Sequence, residues 1–161
     1  MQVLIVYASK TGNTKKLAEA IAGGAEEVPG VKSILKPVSQ VTREDLLQSR
    51  GLIAGSPVYF GSMTAEMKEF FDKYVGLRKK MENKVGAAFA TSADPSGGKE
   101  TTMISILQAM LIYGMIVVGD PIEATGHYGV ACVGSPDENA RYNGAKLGKR
   151  VAALALKLSE G

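Results

Sequence analysis

Cysteine, histidine and tryptophan are scarce in this sequence: its 161 residues include one Cys, one His and no Trp. Because Cys132 has no second cysteine to pair with, an intrachain disulfide is excluded, and this usage is typical of a reducing cytoplasm. Long apolar runs are absent as well, and none approaches the roughly 18 residues that a membrane-spanning helix needs. The net charge is only +3, without a long basic block. We therefore expect a cytoplasmic protein with no membrane span and no nucleic-acid partner.

The composition that remains is that of one globular domain. Hydrophobic residues make up 45% of the chain and charged residues 22%, which excludes a disordered protein. The length lies within the roughly 100–200 residues of a single domain. Residues 1–7 form an apolar run without the basic region and cleavage site of a signal peptide, and they are interpreted as a strand. We expect a single domain over residues 1–161.

Short apolar runs alternate with amphipathic stripes along the whole chain. Strands are predicted at residues 2–8, 31–36, 52–55, 85–91 and 115–118. Helices are predicted at residues 14–25, 42–48, 63–74, 103–111 and 147–158. Thr42 and Asp45 have the spacing of a capping box at the start of the second helix. Strands separated by helices imply right-handed crossovers, so the predicted fold is a doubly wound, five-stranded parallel sheet in three α/β/α layers.

The loop after the first strand has the composition of a phosphate-binding loop. In doubly wound sheets, ligands bind outside the carboxyl ends of the strands. This loop opens directly into a helix and consists of Ser9, Lys10, Thr11, Gly12, Asn13 and Thr14. Amide N–H groups, hydroxyls and a helix N-terminus together bind a terminal phosphate. The alternative is simple helix capping, which needs one such residue rather than five.

Other nucleotide and phosphate motifs do not fit this loop. Neither the G-x-G-x-x-G fingerprint nor a Walker loop is present. A receiver domain would place a phosphoacceptor aspartate after the third strand, where Ser56 and Pro57 stand. A low-molecular-weight tyrosine phosphatase would place its cysteine in the first loop. Cys132 instead lies in the apolar stretch VACVG and is predicted to be a buried, inert thiol.

Two further loops lead to the same edge of the predicted sheet. The loop after the third strand consists of Ser56, Pro57, Val58, Tyr59, Phe60, Gly61 and Ser62. Its two aromatic residues could line a flat ring, or they could fix the loop to the core, and alone the two interpretations are about equal. The loop after the fourth strand contributes Thr91, Ser92, Ala93, Gly97 and Gly98. It reads as an ordinary loop that reaches the same crevice.

These motifs carry a family resemblance. The S-x-T-G-N-T loop resembles the phosphate loop of flavodoxins. The segment GSPVYFGSMTAEMKEFFD is similar to WrbA-type NAD(P)H:quinone oxidoreductases and related NAD(P)H-dependent FMN reductases, as are Gly126-x-Tyr128-Gly129 and Leu147-Gly148-x-x-Val151. The resemblance implies a flavodoxin-like fold that binds FMN. The phosphate would be held by residues 9–14, and the ring and ribityl chain would be bordered by residues 56–62, 91–93, 97 and 98.

The resemblance also implies an activity. In that family, FMN takes hydride from NAD(P)H and passes electrons to a quinone or similar acceptor; the alternative is a flavodoxin-type electron carrier between redox proteins. The carriers are commonly acidic around the flavin, whereas this chain has a pI near 8.9. The expected partners are therefore a pyridine nucleotide and a quinone-like molecule, with a redox protein or a second copy of the chain as further candidates.

The sequence departs from the family at three places. Tyr113 precedes Gly114 where the family has a histidine in its quinone pocket. The Tyr113 hydroxyl could steer a quinone as a catalytic residue, or Tyr113 could be a core residue that ends a helix. The family's flavin-proximal tryptophan is missing, and the segment 76–84 is short where the family has its tetramer-building insertion. The lone His127 is interpreted as a surface loop residue, and no metal site is predicted.

Overall fold

The computed structural model describes residues 1–159. Its strands are β1 (Gln2–Tyr7), β2 (Lys32–Pro37), β3 (Ser49–Pro57), β4 (Val85–Ser92), β5 (Ile116–Val117) and β6 (Gly129–Val133). Its α-helices are α1 (Asn13–Glu26), α2 (Arg43–Gln48), α3 (Ala65–Lys73), α4 (Arg78–Met81), α5 (Lys99–Ile112) and α6 (Glu138–Ser159). Across residues 1–159, no helix combines the length and the apolar character needed to cross a bilayer.

The strands form one parallel sheet in the order β2-β1-β3-β4-β5, and β6 also pairs with β4. Ile116 of β5 lies beside Val85 at the start of β4, and Gly129 of β6 lies beside Ala88 further along. The doubly wound α/β fold is thereby confirmed. The fifth position of the sheet holds two short strands in line, however, where the sequence analysis predicted one strand at 115–118.

The segment between β5 and β6 has its own hydrogen bonds, which explains the split strand. The buried Asp120 carboxylate accepts the N–H groups of Gly126 (2.7 Å) and His127 (2.6 Å). The Arg150 guanidinium donates to the carbonyl oxygens of Gly119 (3.2 Å) and Asp120 (2.6 Å). These bonds satisfy polar groups that a continuous strand would have paired with β4. The result is a closed loop that returns the chain to the sheet.

Each face of the sheet packs on its own layer of helices. On one face, Val3 and Ile5 of β1 belong to a buried cluster with residues of α1 and α6 such as Leu17 and Val151. On the other face, Leu4 and Val6 belong to a cluster with residues of α2, α3 and α5. Successive residues of a strand point to opposite faces, so a strand buried on both faces is continuously apolar. This is why the sequence analysis could identify β1 from its composition.

The boundaries of α1 and α2 agree with the prediction to within one residue, whereas α5 begins at Lys99 rather than residue 103 and α6 begins at Glu138 rather than residue 147. The predicted capping box is confirmed: Thr42 Oγ1 accepts the Asp45 N–H (3.2 Å), and the Asp45 carboxylate accepts the Thr42 N–H (2.8 Å). Helix α3 begins at Ala65 rather than residue 63, because the Thr64 side chain accepts the Met67 N–H and so caps the helix. The short helix α4 was not predicted, and it follows a 3₁₀ turn at Val75–Leu77.

Lys84 is a buried cation just before β4, at the end of the strands opposite the predicted ligand loops. Its ammonium group donates to the carbonyl oxygens of Leu46 (2.6 Å) and Leu47 (3.0 Å) near the end of α2. Burial, with a smaller contribution from the Arg50 charge, lowers the pKa of Lys84 from 10.5 to about 8. The two carbonyl oxygens supply hydrogen bonds that water would otherwise give to the ammonium group.

Between pH 8 and pH 10, we expect Lys84 to make the free energy of unfolding rise by about 2 kcal/mol. The pKa of Lys84 is lower in the folded protein than in the unfolded chain, so in this range the unfolded chain binds more protons. Raising the pH removes those protons and therefore favours the folded protein. Urea titrations at several pH values would measure the slope in the wild type and in Lys84→Met. The free energy of unfolding should rise with pH about 2 kcal/mol more in the wild type than in Lys84→Met. If it rises equally in both proteins, Lys84 is not the cause.

Candidate functional site

The loop after β1 presents backbone N–H groups at the start of α1. Gly12 is the N-cap residue of this helix, with φ of 91° and no side chain of its own to bond the first N–H groups, and within residues 1–159 no acid stands in the first turn. The Ser9 hydroxyl oxygen accepts the N–H groups of Gly12 (3.2 Å) and Lys15 (3.4 Å). N–H donors that converge on one oxygen at a helix N-terminus are suited to binding an anion.

Charge and hydrogen bonding around this loop also suit an anion. The loop itself carries Lys10 and no carboxylate, and Lys15 and Lys16 follow in the first turn of α1. The Thr14 hydroxyl is buried 2.8 Å from the Thr91 hydroxyl at the end of β4. The Thr14–Thr91 bond therefore fixes the first predicted loop against the third.

The loop after β3 is a tight hairpin with an exposed aromatic tip. Tyr59 and Ser62 exchange two backbone hydrogen bonds of 3.0 and 3.1 Å. Between them, Phe60 and Gly61 both have positive φ, of 51° and 73°. This conformation is rare and strained for a bulky residue, and the Phe60 side chain is completely exposed. The sequence analysis left open whether the aromatic residues fix the loop to the core, and Phe60 does not.

The base of this hairpin is held by its neighbours. The buried Ser56 hydroxyl accepts the Thr64 N–H (3.0 Å) and donates to the Pro57 carbonyl (2.8 Å). The Val58 N–H donates to the Thr91 carbonyl (2.8 Å). On the open side, the Lys10 ammonium lies 5.1 Å from the centroid of the Tyr59 ring. The Lys10–Tyr59 contact joins the first loop to the second.

The loop after β4 closes the same crevice. The Ser92 hydroxyl and the Gly97 N–H both donate to the Asp94 carbonyl, at 2.7 and 3.1 Å, and the intervening Ala93 is exposed. Gly98 caps α5 with φ of 95° and without a side-chain cap in the described residues. A Cβ on Gly98 would lie 2.9 Å from Gly61 Cα, so the second and third loops touch. The structure therefore brings all three predicted loops together.

Tyr113 is not part of this arrangement: of the two interpretations that the sequence left open, an acceptor-pocket residue or a core residue that ends a helix, the structure supports the second. Helix α5 runs from the ligand loops to the other edge of the sheet, and Tyr113 follows its last turn, close to the start of β4. Its side chain is buried, and its hydroxyl donates to the Phe71 carbonyl. Burial, with the Asp72 charge adding to it, raises the pKa of Tyr113 to about 12. Tyr113 is a core residue of this chain.

His127 and Cys132 lie outside the three loops, and Cys132 is less buried than the sequence predicted. His127 is exposed in the loop before β6, with φ of 138°. Cys132 is half-buried in β6, where burial and the nearby Asp137 charge raise the pKa of its thiol to about 11. A thiol with such a pKa is not a nucleophile at neutral pH. Among residues 1–159, no three His, Cys, Asp or Glu side chains cluster closely enough to hold a metal ion.

Sequence analysis missed a fourth loop at this edge. The Gly134 N–H, just after β6, donates to the Ser92 carbonyl (2.8 Å), and the next residue, Ser135, accepts from the Lys16 ammonium (3.3 Å). The apolar run before Gly134 was the available signal. Because carboxyl ends of parallel strands meet at one edge, a strand assigned there would have placed these residues beside the phosphate loop.

Comparisons with known proteins agree with this geometry. Residues 33–129 match the family described as NADPH-dependent FMN reductase. A protein of Archaeoglobus fulgidus named NAD(P)H dehydrogenase (quinone) is 36% identical, with 98% of each chain covered. A flavodoxin of Aquifex aeolicus is 38% identical over 94% of this chain and 85% of its own length. The solved structure of a flavodoxin from the domain Archaea superposes with a TM-score of 0.81 at 27% identity, covering 97% of this chain and 99% of its own.

The fold and its three converging loops define a flavodoxin-like α/β protein. The chain belongs to the NADPH-dependent FMN reductase family, whose match covers more than half of its residues. It is thus an FMN-dependent oxidoreductase. The alignment with the Archaeoglobus protein runs over 188 positions, whereas this chain has 161 residues. That relative therefore contains insertions that this chain lacks.

Replacing Phe60 by asparagine is expected to raise the free energy of unfolding of the flavin-free protein by about 0.5–1 kcal/mol. Asparagine tolerates positive φ far better than phenylalanine does, and the exposed ring of Phe60 contributes little packing. Thermal unfolding would measure this gain. Phe60→Val is the matched control: a β-branched residue is disfavoured at this φ, so it should destabilise the protein.

Thr102→Val is expected to raise the free energy of unfolding by about 1 kcal/mol. The Thr102 hydroxyl is buried in α5 and has no hydrogen-bond partner in the described part of the chain, and valine has the same shape without the unpaired group. Thr91→Val is the control, because it removes the buried bond to Thr14 and should destabilise the protein by a similar amount. Urea unfolding would measure both, and two changes of the same sign would contradict the assignment.

Proposed function

We propose that this protein uses FMN to oxidise NAD(P)H and to reduce a quinone or a similar small acceptor. When bound, the flavin supplies the chemistry: it takes up two electrons as hydride and passes them on. The observation that carries the proposal is the carboxylate-free N–H cradle at α1 beside an exposed, strained aromatic hairpin. The relatives named NAD(P)H dehydrogenase (quinone), which align over 98% of this chain or more, support the choice of substrates.

The residues present fit the phosphate of FMN. The proposed phosphate ligands are the N–H groups and hydroxyls of residues 9–14, and the Lys10 ammonium adds charge. The Ser9 hydroxyl oxygen that accepts two of these N–H groups would give way to a phosphate oxygen. An anion gains at this helix end from both the helix dipole and the unpaired N–H groups. Thr14 acts as a positioning residue, because its hydroxyl is already bonded to Thr91.

The ring and the ribityl chain would lie between the other two loops. We assign the side of the ring to residues 56–62, where Tyr59 and Phe60 offer aromatic surface and loop N–H groups can bind ring heteroatoms. Thr91, Ser92, Ala93, Gly97 and Gly98 would complete the site. The close approach of Gly98 to Gly61 keeps these two loops in register. None of the three loops contains a histidine or cysteine, so the proposed role of the chain is to bind, orient and shield the cofactor.

Electron transfer between proteins, without direct use of NAD(P)H, is the second candidate function. It is favoured by the similarity to the Aquifex aeolicus flavodoxin, whose alignment spans 157 positions. That alignment needs no long insertion, in contrast to the one with the Archaeoglobus protein. The positive net charge argues against a carrier that docks through an acidic surface. A cytoplasmic location, as the single cysteine suggests, is compatible with both functions.

Anaerobic stopped-flow mixing with NADH and with NADPH separates the two candidates. For an oxidoreductase, either nucleotide should bleach the absorbance of the FMN-loaded protein in a saturable reaction, and menadione should restore it. Free FMN at the same concentration is the control for reaction in solution. A protein that reacts with neither nucleotide, yet is reduced by a flavodoxin reductase, would be a carrier.

A further inference from the structure

A groove runs along the outer edge of β6, from the start of α5, which follows the third ligand loop, to residues 125–128. Its volume is about 530 Å³. One wall is the start of α5, with Lys99, Glu100 and Met103, and the other is the start of α6, with Asn139 and Asn143. The strand itself forms the floor, and residues 125–128 close one end. The groove is thus a channel between two helices with a strand edge at its base.

The floor of the groove offers unpaired backbone groups. Within residues 1–159, β6 pairs with β4 and with no other strand. The Gly134 N–H points to β4, where it bonds to Ser92. Because backbone groups alternate between the two edges of a parallel strand, those of Ala131 and Val133 face the groove. Natural edge strands are usually protected by charge, proline or a bulge, and GVACV has neither charge nor proline.

Asn143 adds a polar side chain to the wall of the groove. The residue is only 8% exposed and lines the groove from α6. In the described chain it makes no side-chain hydrogen bond, unlike Asp137 one turn earlier, which accepts the Ala140 N–H (2.7 Å). Its amide atoms are not among the fully buried atoms that lack a partner, so they are open to the groove. An amide has both a donor and an acceptor, which match the acceptor and donor of a peptide main chain.

The shape and charge of the groove select the occupant. The strand edge lies at the base of a channel, so the walls of α5 and α6 prevent two folded copies from bringing their β6 edges together. A single extended segment can enter. Among the residues that line the groove, the carboxylates of Glu100 and Asp137 have no cation within 4 Å in the described chain, and they outnumber the one lysine, Lys99, whose ammonium donates to the Pro95 carbonyl. The rim therefore suits a segment with basic residues.

We propose that this groove binds an extended, basic segment of a partner protein, which pairs with β6 as an additional strand. The partner's backbone bonds to Ala131 and Val133, and one of its peptide groups or polar side chains bonds to Asn143. Its side chains alternate between the apolar wall at Met103 and the polar wall at Asn139 and Asn143, as the pleat of a strand requires. Lysine or arginine residues at its ends face Glu100 and Asp137. This interaction is independent of the proposed redox function.

Hydrogen exchange followed by NMR on the FMN-loaded full chain tests the proposal. The probe is the peptide acetyl-Lys-Val-Thr-Val-Lys-amide, and the control is the same peptide with all five backbone nitrogens methylated, so that neither of its edges keeps an N–H group to donate. With the probe at about 5 mM, as a weak pentapeptide requires, the Ala131 and Val133 amides should exchange at least about tenfold more slowly. The methylated peptide should leave them unchanged.

Two variants locate the binding. Asn143→Leu should weaken probe binding about threefold to tenfold, the equivalent of one hydrogen bond, whereas Gln108→Leu on the exposed side of α5 should not change it. Val133→Pro keeps the pairing of β6 with β4, because the lost N–H faces outward, and should remove the binding even if Asn143→Leu fails to fold.

No protection by the probe, or equal protection by the methylated peptide, would overturn the proposal. Protection that appears without peptide and rises with protein concentration would assign the groove to a second copy instead.

Discussion

Replacing Gly148 by alanine is expected to lower the free energy of unfolding by about 3 kcal/mol or more. Helices α1 and α6 touch through their backbones here: a Cβ on Gly148 would lie 1.9 Å from the Ile21 carbonyl oxygen and 2.9 Å from the Ala25 nitrogen. Neither atom belongs to a flexible side chain, so the two helices would have to move apart. That movement would reduce the contacts of the apolar cluster that includes Leu17 and Val151. Urea unfolding would measure the loss.

Gly23→Ala is the matched control for this prediction. Gly23 lies in α1, is exposed, and has no atom within 4 Å of its hypothetical Cβ. Alanine is favoured over glycine in a helix interior by about 0.8–1 kcal/mol, so this variant should be more stable than the wild type. Equal effects of the two substitutions would show that the close approach of α1 and α6 is not what makes Gly148 necessary.

Replacing Gly12 by aspartate is expected to weaken FMN binding more than about a hundredfold. The new carboxylate would stand beside the proposed phosphate site, and two unit charges 4 Å apart repel by about 4 kcal/mol at the effective dielectric of a protein surface. Aspartate would also cap α1 itself and so occupy N–H groups that the phosphate needs. Fluorescence titration of the flavin-free protein would measure the affinity.

Gly12→Asn separates charge from backbone strain. Asparagine has the shape of aspartate, and it accepts the φ of 91° found at Gly12 better than most residues do. Its effect on FMN binding should therefore be at least tenfold smaller than that of aspartate. Riboflavin has no phosphate, and its binding should respond about equally to both variants. If aspartate and asparagine weakened FMN binding equally, the site at α1 would not be a site for an anion.

Features that depend on residues close together in the sequence could be predicted from it. The capping box at Thr42 and the loop at 9–14 involve residues a few positions apart, and both were found in the sequence. β1 and β4 were also found, because burial on both faces makes a strand continuously apolar. The convergence of the three loops could be predicted because the carboxyl ends of parallel strands lie at the same end of the sheet.

The features that were missed depend on distant partners. β6 was not predicted, and β5 has only two of the four residues predicted at 115–118; both strands are defined by pairing with β4. The loop between them is closed by Asp120 and by Arg150 from α6, which no local pattern reveals. The family resemblance suggested an acceptor pocket for Tyr113, because it precedes Gly114. Helix α5 runs away from the three loops, however, so Tyr113 lies at the opposite end of the strands. Its bond to Phe71 joins residues 42 positions apart.

The relative affinity of the flavin-free protein for FMN and for riboflavin tests the central claim most directly. The two ligands share the ring and the ribityl chain, so their difference isolates the terminal phosphate and with it residues 9–14. Charge-assisted hydrogen bonds contribute roughly 1.5–3 kcal/mol each, and several converge on the proposed phosphate position. Fluorescence titration should therefore give a Kd for FMN that is at least about a hundredfold lower than that for riboflavin. Equal dissociation constants would contradict the assignment of the α1 loop as the phosphate site.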